Sequence, residues 1–394
     1  MPKIDRWLIT VVPIAVLFAC RMLGLFLLIP VFTIYAGQLL HATPGLIGVA
    51  LGAYGLGQGL LQLPMGLLSD NYGRKSILTY GFILLGLGSV IGAVTNSIWG
   101  IIAARILQGS GAIGSVLMAL LADITTVQAR TKGMAIIGST IGLSFALAMV
   151  VSPVIAAHFG LHGIFYISLL LAMLGLIIVH YIKAPPVIAV ATRMNWWLTL
   201  RERCVTSLAD KQLLTLNFGI FFQHWILTAT FYVLPLVLQK HIASGNLEHI
   251  SLFYLVILLS AFALMIPLII ISEKHGYIRR VLRGSIVGTA IIQGVLAVNY
   301  QHWSFLCMLM VLYFAMFNVL EALLPSLTSK QAHQAHKGTA MGIYSTFQFL
   351  GIFAGGIVSG VIFAHAGYQA VFYLNSVVAM IWYISTTIVG EEMP

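Results

Sequence analysis

The sequence predicts an all-α membrane protein with 12 transmembrane helices, arranged as two pseudo-symmetric six-helix bundles. Its composition is the first reason: 60% of the 394 residues are hydrophobic and only 8% are charged, whereas about 25% of the residues in a soluble chain are charged. Mean hydropathy is +1.01. The second reason is an internal repeat, in which the second half of the chain resembles the first. These observations place almost the whole chain in the membrane.

Hydrophobic stretches recur along the chain at lengths suited to crossing a bilayer. A transmembrane helix needs about 20 mainly apolar residues, and stretches this long and unbroken do not suit barrel strands of about 10 alternating residues. Because the sequence ends just after the last stretch, we expect no cytoplasmic C-terminal domain. The predicted helices occupy residues 8–34, 46–68, 77–95, 98–122, 134–157, 163–182, 214–238, 250–271, 281–298, 304–327, 339–364 and 368–389.

Basic residues are distributed unevenly between the predicted loops, and this predicts the orientation. With both termini in the cytoplasm, nearly all of the 20 Lys and Arg residues fall in cytoplasmic segments. Lys240 falls outside, while Arg21 and Arg105 lie within helices. Since cytoplasmic loops carry an excess of Lys and Arg, the net charge of +10 reflects topology and not a nucleic-acid partner. We expect a multi-pass protein of the inner (plasma) membrane with cytoplasmic N- and C-termini.

The internal repeat has a separation of 203 to 207 residues. It predicts an N-terminal six-helix bundle over residues 1–183 and a C-terminal six-helix bundle over 213–394, joined by a cytoplasmic linker over 184–212. Paired tryptophans beside arginines favour a linker helix lying in the membrane interface, and a regulatory linker is the alternative. The matching segments are 70–73 with 273–276, 132–133 with 337–338, and 165–166 with 372–373.

Polar residues inside the predicted helices are candidates for a substrate cavity. Two parallel six-helix repeats are typical of secondary transporters, which bind substrate near the middle of the membrane. Charged residues at a helix centre cost about 2.5 to 3.5 kcal/mol on insertion scales, so Arg21 and Arg105 indicate function. Glutamines that recur every four residues share one helix face, although ordinary packing also explains them. The predicted cavity comprises Arg21, Tyr54, Gln58, Gln62, Arg105, Gln108 and Asn318.

Glu321 and His224 are the candidate proton-coupling residues. Glu321 is the carboxylate placed well inside a predicted helix, and His224 matches Arg21 at the 203-residue separation. A carboxyl group balanced between burial and basic neighbours can load and release a proton, and imidazole titrates near neutral pH. The alternatives are a static Glu–Arg or Glu–His pair, and for His224 a hydrogen-bonded packing role.

Motifs in the first half resemble those of a known family. Residues 66–75 read Gly-Leu-Leu-Ser-Asp-Asn-Tyr-Gly-Arg-Lys, which resembles the G-x-x-x-D-[RK]-x-G-R-[RK] loop motif of the major facilitator superfamily, with Asn71 in place of a basic residue. Residues 23–31 and 105–111 resemble motifs of its twelve-helix drug:proton antiporter branch. The fifth-helix antiporter motif is degenerate, because Ala148 and Ser152 replace glycines before Pro153. The resemblance covers essentially the whole chain and implies the major facilitator fold.

The resemblance also implies a conformational latch at this loop. In the family, the motif carboxylate faces the N-terminus of the eleventh helix, where free N–H groups and the helix dipole favour an anion. Arg74 is then expected to reach Asp123 at the cytoplasmic end of the fourth helix. A charged loop that serves only topology is the alternative. The predicted latch comprises Gly66, Asp70, Gly73, Arg74, Lys75, Asp123, Gly338 and Gly342.

The function that the sequence favours is proton-coupled export of small organic compounds, by antiport and alternating access. An importer of an anionic metabolite or a siderophore-like metal-chelator complex is the first alternative, and a non-transporting membrane sensor is the second. We recognise no phosphate-binding loop, metal-ligand cluster or nucleophile triad, so we expect no enzyme activity, no bound metal and no cofactor beyond a proton gradient. The expected partners are a small-molecule substrate and the lipid bilayer, not nucleic acid. Monomers are usual in the resembling family.

Overall fold

The computed structural model describes residues 6–125, 127–182, 204–242, 247–333 and 337–389. Most of the predicted linker, residues 184–203, lies outside this part, and residues 204–209 form a short helix. The main helices are α1 (Arg6–Phe26), α2 (Phe32–Ala36), α3 (Pro44–Tyr72), α4 (Arg74–Val94), α5 (Ile98–Ser110), α6 (Gly114–Ile124), α7 (Val127–Tyr181), α8 (Lys211–His241), α9 (Leu247–Lys274), α10 (Ile278–Asn299), α11 (Trp303–Gln331) and α12 (Lys337–Val389).

Helix lengths agree with a chain that crosses the membrane many times. Within the described residues, nine helical segments are long and apolar enough to cross a membrane, and a shorter apolar helix covers Val11–Phe26. Two of the nine have 50 and 51 residues, which is about twice what one crossing needs. Each is interrupted by one glycine with non-helical backbone angles, Gly160 in α7 and Gly367 in α12. The all-helical prediction is therefore confirmed.

Two predicted helices are not continuous. The helix predicted over 8–34 ends at Phe26 and resumes as the short α2, because Pro30 has no N–H to donate and disfavours helical angles at the residue before it. The helix predicted over 98–122 breaks between Ser110 and Gly114. A Cβ at Gly111 would lie 2.4 Å from the carbonyl oxygen of Gly81, so this break lets the chain touch α4.

The chain divides into two compact units. Unit 1 comprises Met1–Ala42 and Ala53–Thr192, and unit 2 comprises Thr43–Gly52 and Arg193–Pro394. In unit 1, α4 and α7 pack together and α7 also packs against α1; in unit 2, α12 packs against α8 and α10. The start of α3 belongs to unit 2 because its glycines approach α12 closely. A Cβ at Gly48 would lie 2.2 Å from the carbonyl oxygen of Gly356.

Candidate functional site

Glycines bring α3 and α5 into backbone contact in unit 1. A Cβ at Gly57 would lie 2.5 Å from an α5 carbonyl oxygen, and a Cβ at Gly109 would lie 2.1 Å from the carbonyl oxygen of Tyr54. Small residues are what allow membrane helices to approach this closely. The crossing places Arg105 and Gln108 of α5 beside the polar face of α3.

Arg105 is held by polar and aromatic groups without a carboxylate. Its Cζ lies 4.9 Å from the centre of the Tyr54 ring, within the range of a cation–π contact. Its Nη1 donates to Gln108 Oε1 at 3.1 Å, and Gln108 Nε2 donates to Ser89 Oγ at 2.9 Å. The residue is only 1% exposed, and its Nε has no hydrogen-bond partner among the described residues.

Arg21 of α1 lies at the other end of the same polar face. It is 2% exposed, and its Nε and Nη2 have no hydrogen-bond partner in the described part of the chain. Arg21 Nη1 and Gln62 Nε2 lie 2.9 and 3.3 Å from the position that a Cβ of Gly114 would take. Gln58 donates to Gln62 Oε1, which leaves Gln58 Oε1 unpartnered among these residues. Unit 1 therefore brings together six of the seven predicted cavity residues.

Unit 2 contains the two predicted proton-coupling residues. Asp210 accepts hydrogen bonds from Gln212 N and Leu213 N, and this N-cap begins the helix α8 that carries His224. Glu321 of α11 accepts a hydrogen bond from Gln223 Nε2 at 3.1 Å. Its Oε2 lies 3.9 Å from His224 Nε2, which is too long for a hydrogen bond.

His224 has a glutamine partner on α12. Gln348 Nε2 lies 2.9 Å from His224 Nε2, and because an amide NH₂ group only donates, the imidazole Nε2 is the acceptor in this arrangement. The His224 ring is nearly buried, whereas the Glu321 side chain is 40% exposed. The Glu321 carboxyl group therefore lies beside an imidazole whose Nε2 already has a hydrogen-bond partner.

Sequence reasoning missed Gln223 and Gln348 and assigned Asn318, on the helix of Glu321, to the predicted cavity. The two glutamines are polar residues in apolar helices, which is the signal that singled out Gln58 and Gln62 in α3. Asn318 lies one turn before Glu321, but its Nδ2 has no hydrogen-bond partner among the described residues. Sharing a helix face is thus not enough to join Asn318 to the Glu321 cluster.

A small cavity lies beside Gln223 in unit 2. Its volume is about 10 Å³, roughly what one water molecule needs, and its mainly apolar lining includes Gln223, Thr289, Tyr313 and Trp382. Gln223 Oε1 and Trp382 Nε1 have no hydrogen-bond partner in the part of the chain described. Buried polar groups of this kind commonly bind water. Gln223 therefore contacts Glu321 through its Nε2 and also lines this small cavity.

The loop motif forms an ion cluster in unit 1. Arg74 Nη1 lies 2.5 Å from Asp70 Oδ1, and Arg74 Nε lies 2.9 Å from Asp123 Oδ2, so the expected contact between Arg74 and Asp123 is present. Lys75 Nζ donates instead to the carbonyl oxygen of His180. The remaining glycines of the predicted latch lie in turns and helices: Gly66 in α3, Gly73 between α3 and α4, and Gly338 and Gly342 in the first turns of α12.

The degenerate fifth-helix motif packs α7 against the break that follows α1. Ala148 is fully buried. Ser152 Oγ, just before Pro153, donates to the carbonyl oxygen of Leu27, which lies in the break after α1. Tyr35 Oη donates to the carbonyl oxygen of Ala156 at 2.7 Å, one turn before the non-helical Gly160. Both side chains thus satisfy backbone groups near helix interruptions.

Comparisons with known proteins identify the family. The sequence matches the family described as Major Facilitator Superfamily at residues 14–266 and 216–392. The chain belongs to the major facilitator superfamily. It is 41% identical over 370 residues to the inner membrane transport protein YajR of Escherichia coli (strain K12), covering 93% of this chain and 80% of YajR. It is 34% identical over 384 residues to an uncharacterized transporter of Buchnera aphidicola subsp. Baizongia pistaciae, covering 95% of each.

Solved structures of major facilitator transporters share the fold. The nucleoside transporter NupG superposes with a TM-score of 0.75 at 14% identity, covering 97% of this chain and 99% of NupG. A D-xylose-proton symporter superposes with a TM-score of 0.74 at 16% identity, covering 98% and 97%. The predicted superfamily and fold are confirmed. The protein is a multi-pass membrane transporter of the major facilitator superfamily, and not an enzyme.

Within the described residues, no group of three or more His, Cys, Asp and Glu side chains is arranged to hold a metal ion.

Proposed function

We propose that this transporter exports small organic compounds across the inner membrane by proton-coupled alternating access, with Glu321 as the residue that carries the proton. The observation that supports this is the Glu321 cluster in unit 2. A partly exposed carboxylate in a membrane-spanning helix accepts a hydrogen bond from Gln223 and lies 3.9 Å from His224 Nε2. Ionisable residues at such depth are costly and mark ion or proton pathways.

The proposed proton step uses the competition for His224 Nε2. When Glu321 is ionised, it accepts from Gln223, and Gln348 occupies the imidazole acceptor. When Glu321 is protonated, its new O–H group is a donor, and His224 Nε2 is the nearby acceptor. Only one donor can use that lone pair, so Gln348 of α12 must release it. Protonation of Glu321 on α11 would thereby change the contact between His224 of α8 and Gln348 of α12.

The remaining properties are proposed on the same basis. The proton gradient is the energy source, and no cofactor takes part. The transported compound and the lipid bilayer are the partners, nucleic acid is not one, and the protein works as a monomer. Both termini lie in the cytoplasm, as the distribution of Lys and Arg favours. The cluster of Asp70, Arg74 and Asp123 then lies on the cytoplasmic side, where it serves as the latch of the transport cycle.

A second candidate function is import of an anionic metabolite or a metal-chelator complex. Arg21 and Arg105 favour it because both are buried cations with unpartnered N–H groups. The degenerate motif at Ala148, Ser152 and Pro153 also fits an importer as well as an antiporter. The direction of flux decides between the two.

Proton coupling is tested in proteoliposomes that carry an imposed pH gradient and an internal pH-sensitive dye. We expect candidate compounds to move protons with the parent protein and not with Glu321→Gln, which keeps the shape of the side chain. Glu273→Gln is the matched control, because Glu273 is an exposed carboxylate at the end of α9 in the same unit. Proton-driven flux that persists in Glu321→Gln would assign Glu321 a structural role.

A further inference from the structure

We propose that unit 1 binds the transported compound along the polar face of α3 between Arg21 and Arg105, with an acidic group of the compound, a carboxylate or a phosphate, at one of the two guanidinium groups. This proposal rests on the proposed function in one respect, namely that the bound ligand is the compound that the protein transports. The inferred ligand is an organic acid or phosphate ester that also carries a hydrogen-bond donor. It is recognised by two guanidinium groups and by the amide face of α3.

The charge balance of unit 1 is the first observation. Arg21 and Arg105 are 2% and 1% exposed, and three of their N–H-bearing nitrogens have no partner among the described residues. The described carboxylates of unit 1, Asp70 and Asp123, are both engaged by Arg74. A buried charge without a counter-ion is strongly unfavourable. A bound anion would supply the missing counter-charge.

The arrangement of donors is the second observation. Arg105 lies over Tyr54, and Arg21 borders Gln62 at Gly114. Tyr54 and Gln62 are eight residues apart on α3, which is about 12 Å along a helix. The two guanidinium groups therefore lie at opposite ends of one polar face. Each presents planar N–H groups that match the oxygens of a carboxylate or phosphate.

The amides between the two arginines define the rest of the ligand. Gln58 donates to Gln62 and keeps a free acceptor, Oε1. A buried carbonyl oxygen without a partner calls for a hydroxyl or amine donor. A ligand with an acid group and such a donor satisfies both requirements. Lipophilic cations do not, because they would meet two positive charges on this face.

Glu321 is the rival counter-ion for the two arginines. Among the described residues it contacts Gln223 and His224 and interacts with Tyr344, all of them in its own unit. Replacing Glu321 therefore shows whether an external acid or Glu321 is the counter-ion of the two arginines. If an external acid is the partner, binding survives in Glu321→Gln; if Glu321 is the partner, its loss changes the behaviour of both arginines.

The test is thermal unfolding of the purified full-length protein at one pH, without a proton gradient. The probes are sodium phosphate, glycerol phosphate, lactate and gluconate, with NaCl at equal ionic strength and glycerol as the neutral control. We expect at least one acid to raise the melting temperature saturably, since a ligand that binds only the folded state stabilises it. Arg21→Gln and Arg105→Gln should each weaken the apparent affinity at least tenfold.

Two further variants keep the outcome interpretable. Gly114→Val retains both charges but fills the point where Arg21 and Gln62 meet, so it should also lose the acid-dependent shift. Arg280→Gln removes an exposed cation of unit 2 and should retain it. Glu321→Gln should keep the shift while losing proton-driven flux, which separates this proposal from the proposed coupling. The proposal is wrong if none of the acids exceeds NaCl, if the two Arg variants respond like the parent, or if Glu321→Gln abolishes the shift.

Discussion

Gly160 and Gly367 interrupt α7 and α12 with nearly the same backbone geometry, φ 63° and ψ −163° at the first and φ 71° and ψ −162° at the second. They are 207 residues apart, the separation that also relates 165–166 to 372–373. Gly73 and Gly276 have φ of 87° and 68° and are 203 residues apart. The internal repeat therefore extends from residue types to the glycine turns that shape each unit.

The first prediction concerns these turns. Gly160→Ala and Gly367→Ala should each lower the free energy of unfolding by about 1 to 3 kcal/mol, because their dihedral angles are essentially restricted to glycine. No atom lies within 4 Å of a Cβ at either position, so backbone strain is the whole effect. Gly138→Ala is the control, since that glycine is helical and equally uncrowded. Equal thermal stability of the three variants would show that no strain is present.

The second prediction concerns cations at two helix ends. Lys75 Nζ donates to the carbonyl oxygen of His180 at 2.5 Å, and Arg283 Nη2 donates to that of Thr386 at 3.3 Å. These oxygens lie near the C-termini of α7 and α12, where the helix dipole favours positive charge. We expect Lys75→Ala and Arg283→Ala to cost about 0.3 to 1 kcal/mol each.

The measurement for this pair is chemical unfolding at low and high salt. The loss should shrink at high salt because partly exposed charges are screened. Arg280→Ala is the control, since its cation contacts the Tyr277 ring and lies in the first turn of α10, where the helix dipole does not favour positive charge. A loss that does not depend on salt would attribute the effect to packing of the aliphatic stems.

Much of the architecture follows from hydropathy, whereas the helix breaks do not. Hydropathy predicts the crossings because each needs an apolar stretch. It does not predict the break after Phe26, because the residues around it are as apolar as those in the helix, and Pro30 is the local signal for that break. The break is supported by a distant side chain, Ser152, which donates to the carbonyl oxygen of Leu27. Such a partner, 125 residues away, leaves no mark in local periodicity.

In the candidate site, too, some contacts can be predicted from the sequence and others cannot. The contact of Arg74 with Asp123 could be predicted because Arg74 belongs to the loop motif and the family resemblance implies an acidic partner at the cytoplasmic end of the fourth helix, where Asp123 lies. The contact of Gln348 with His224 could not, because it joins two helices whose register is set by packing. Gly351 and Gly355 of α12 set that register, since a Cβ at either would lie 2.2 or 2.5 Å from a carbonyl oxygen of α8. Polar residues were visible in the sequence, but their pairing depended on these glycines.

The third prediction concerns a buried amide network in unit 2. Gln293 Nε2 donates to Thr230 Oγ1 at 3.0 Å, and Asn375 Nδ2 donates to Gln293 Oε1 at 3.3 Å. All three residues are fully buried. Interhelical hydrogen bonds in membrane proteins contribute about 0.6 to 2 kcal/mol, so Asn375→Leu should destabilise the protein by that amount.

A double-mutant cycle with Gln293→Leu isolates the interaction. The double variant should be less destabilised than the sum of the single variants, since removing either amide breaks the same bond. Asn299→Leu is the control, because Asn299 donates only within its own helix, to Val295. Additive losses would show that the amides act independently.

The last prediction concerns the proposed latch. Asp70 accepts from Arg74, and its side chain remains 56% exposed, so the carboxylate keeps acceptor capacity for the free N–H groups of a helix N-terminus. Such a charge–dipole contact is worth about 0.3 to 2 kcal/mol. Asp70→Asn removes the charge, and we expect it to shift the protein toward inward-facing conformations by up to roughly tenfold in population, since about 1.4 kcal/mol corresponds to a factor of ten.

Cysteine accessibility at the two mouths of the transporter measures this shift. The background replaces Cys20, Cys204 and Cys307, which are free thiols, with serine. Labelling should rise at the cytoplasmic mouth of Asp70→Asn and fall at the opposite mouth. Glu273→Gln, at the repeat position of Asp70, should label like the parent, because its loop has Tyr277 and Ile278 where the motif has Arg74 and Lys75. Equal changes in both variants would mean that any cytoplasmic carboxylate has this effect, and the latch would then be only a charged loop.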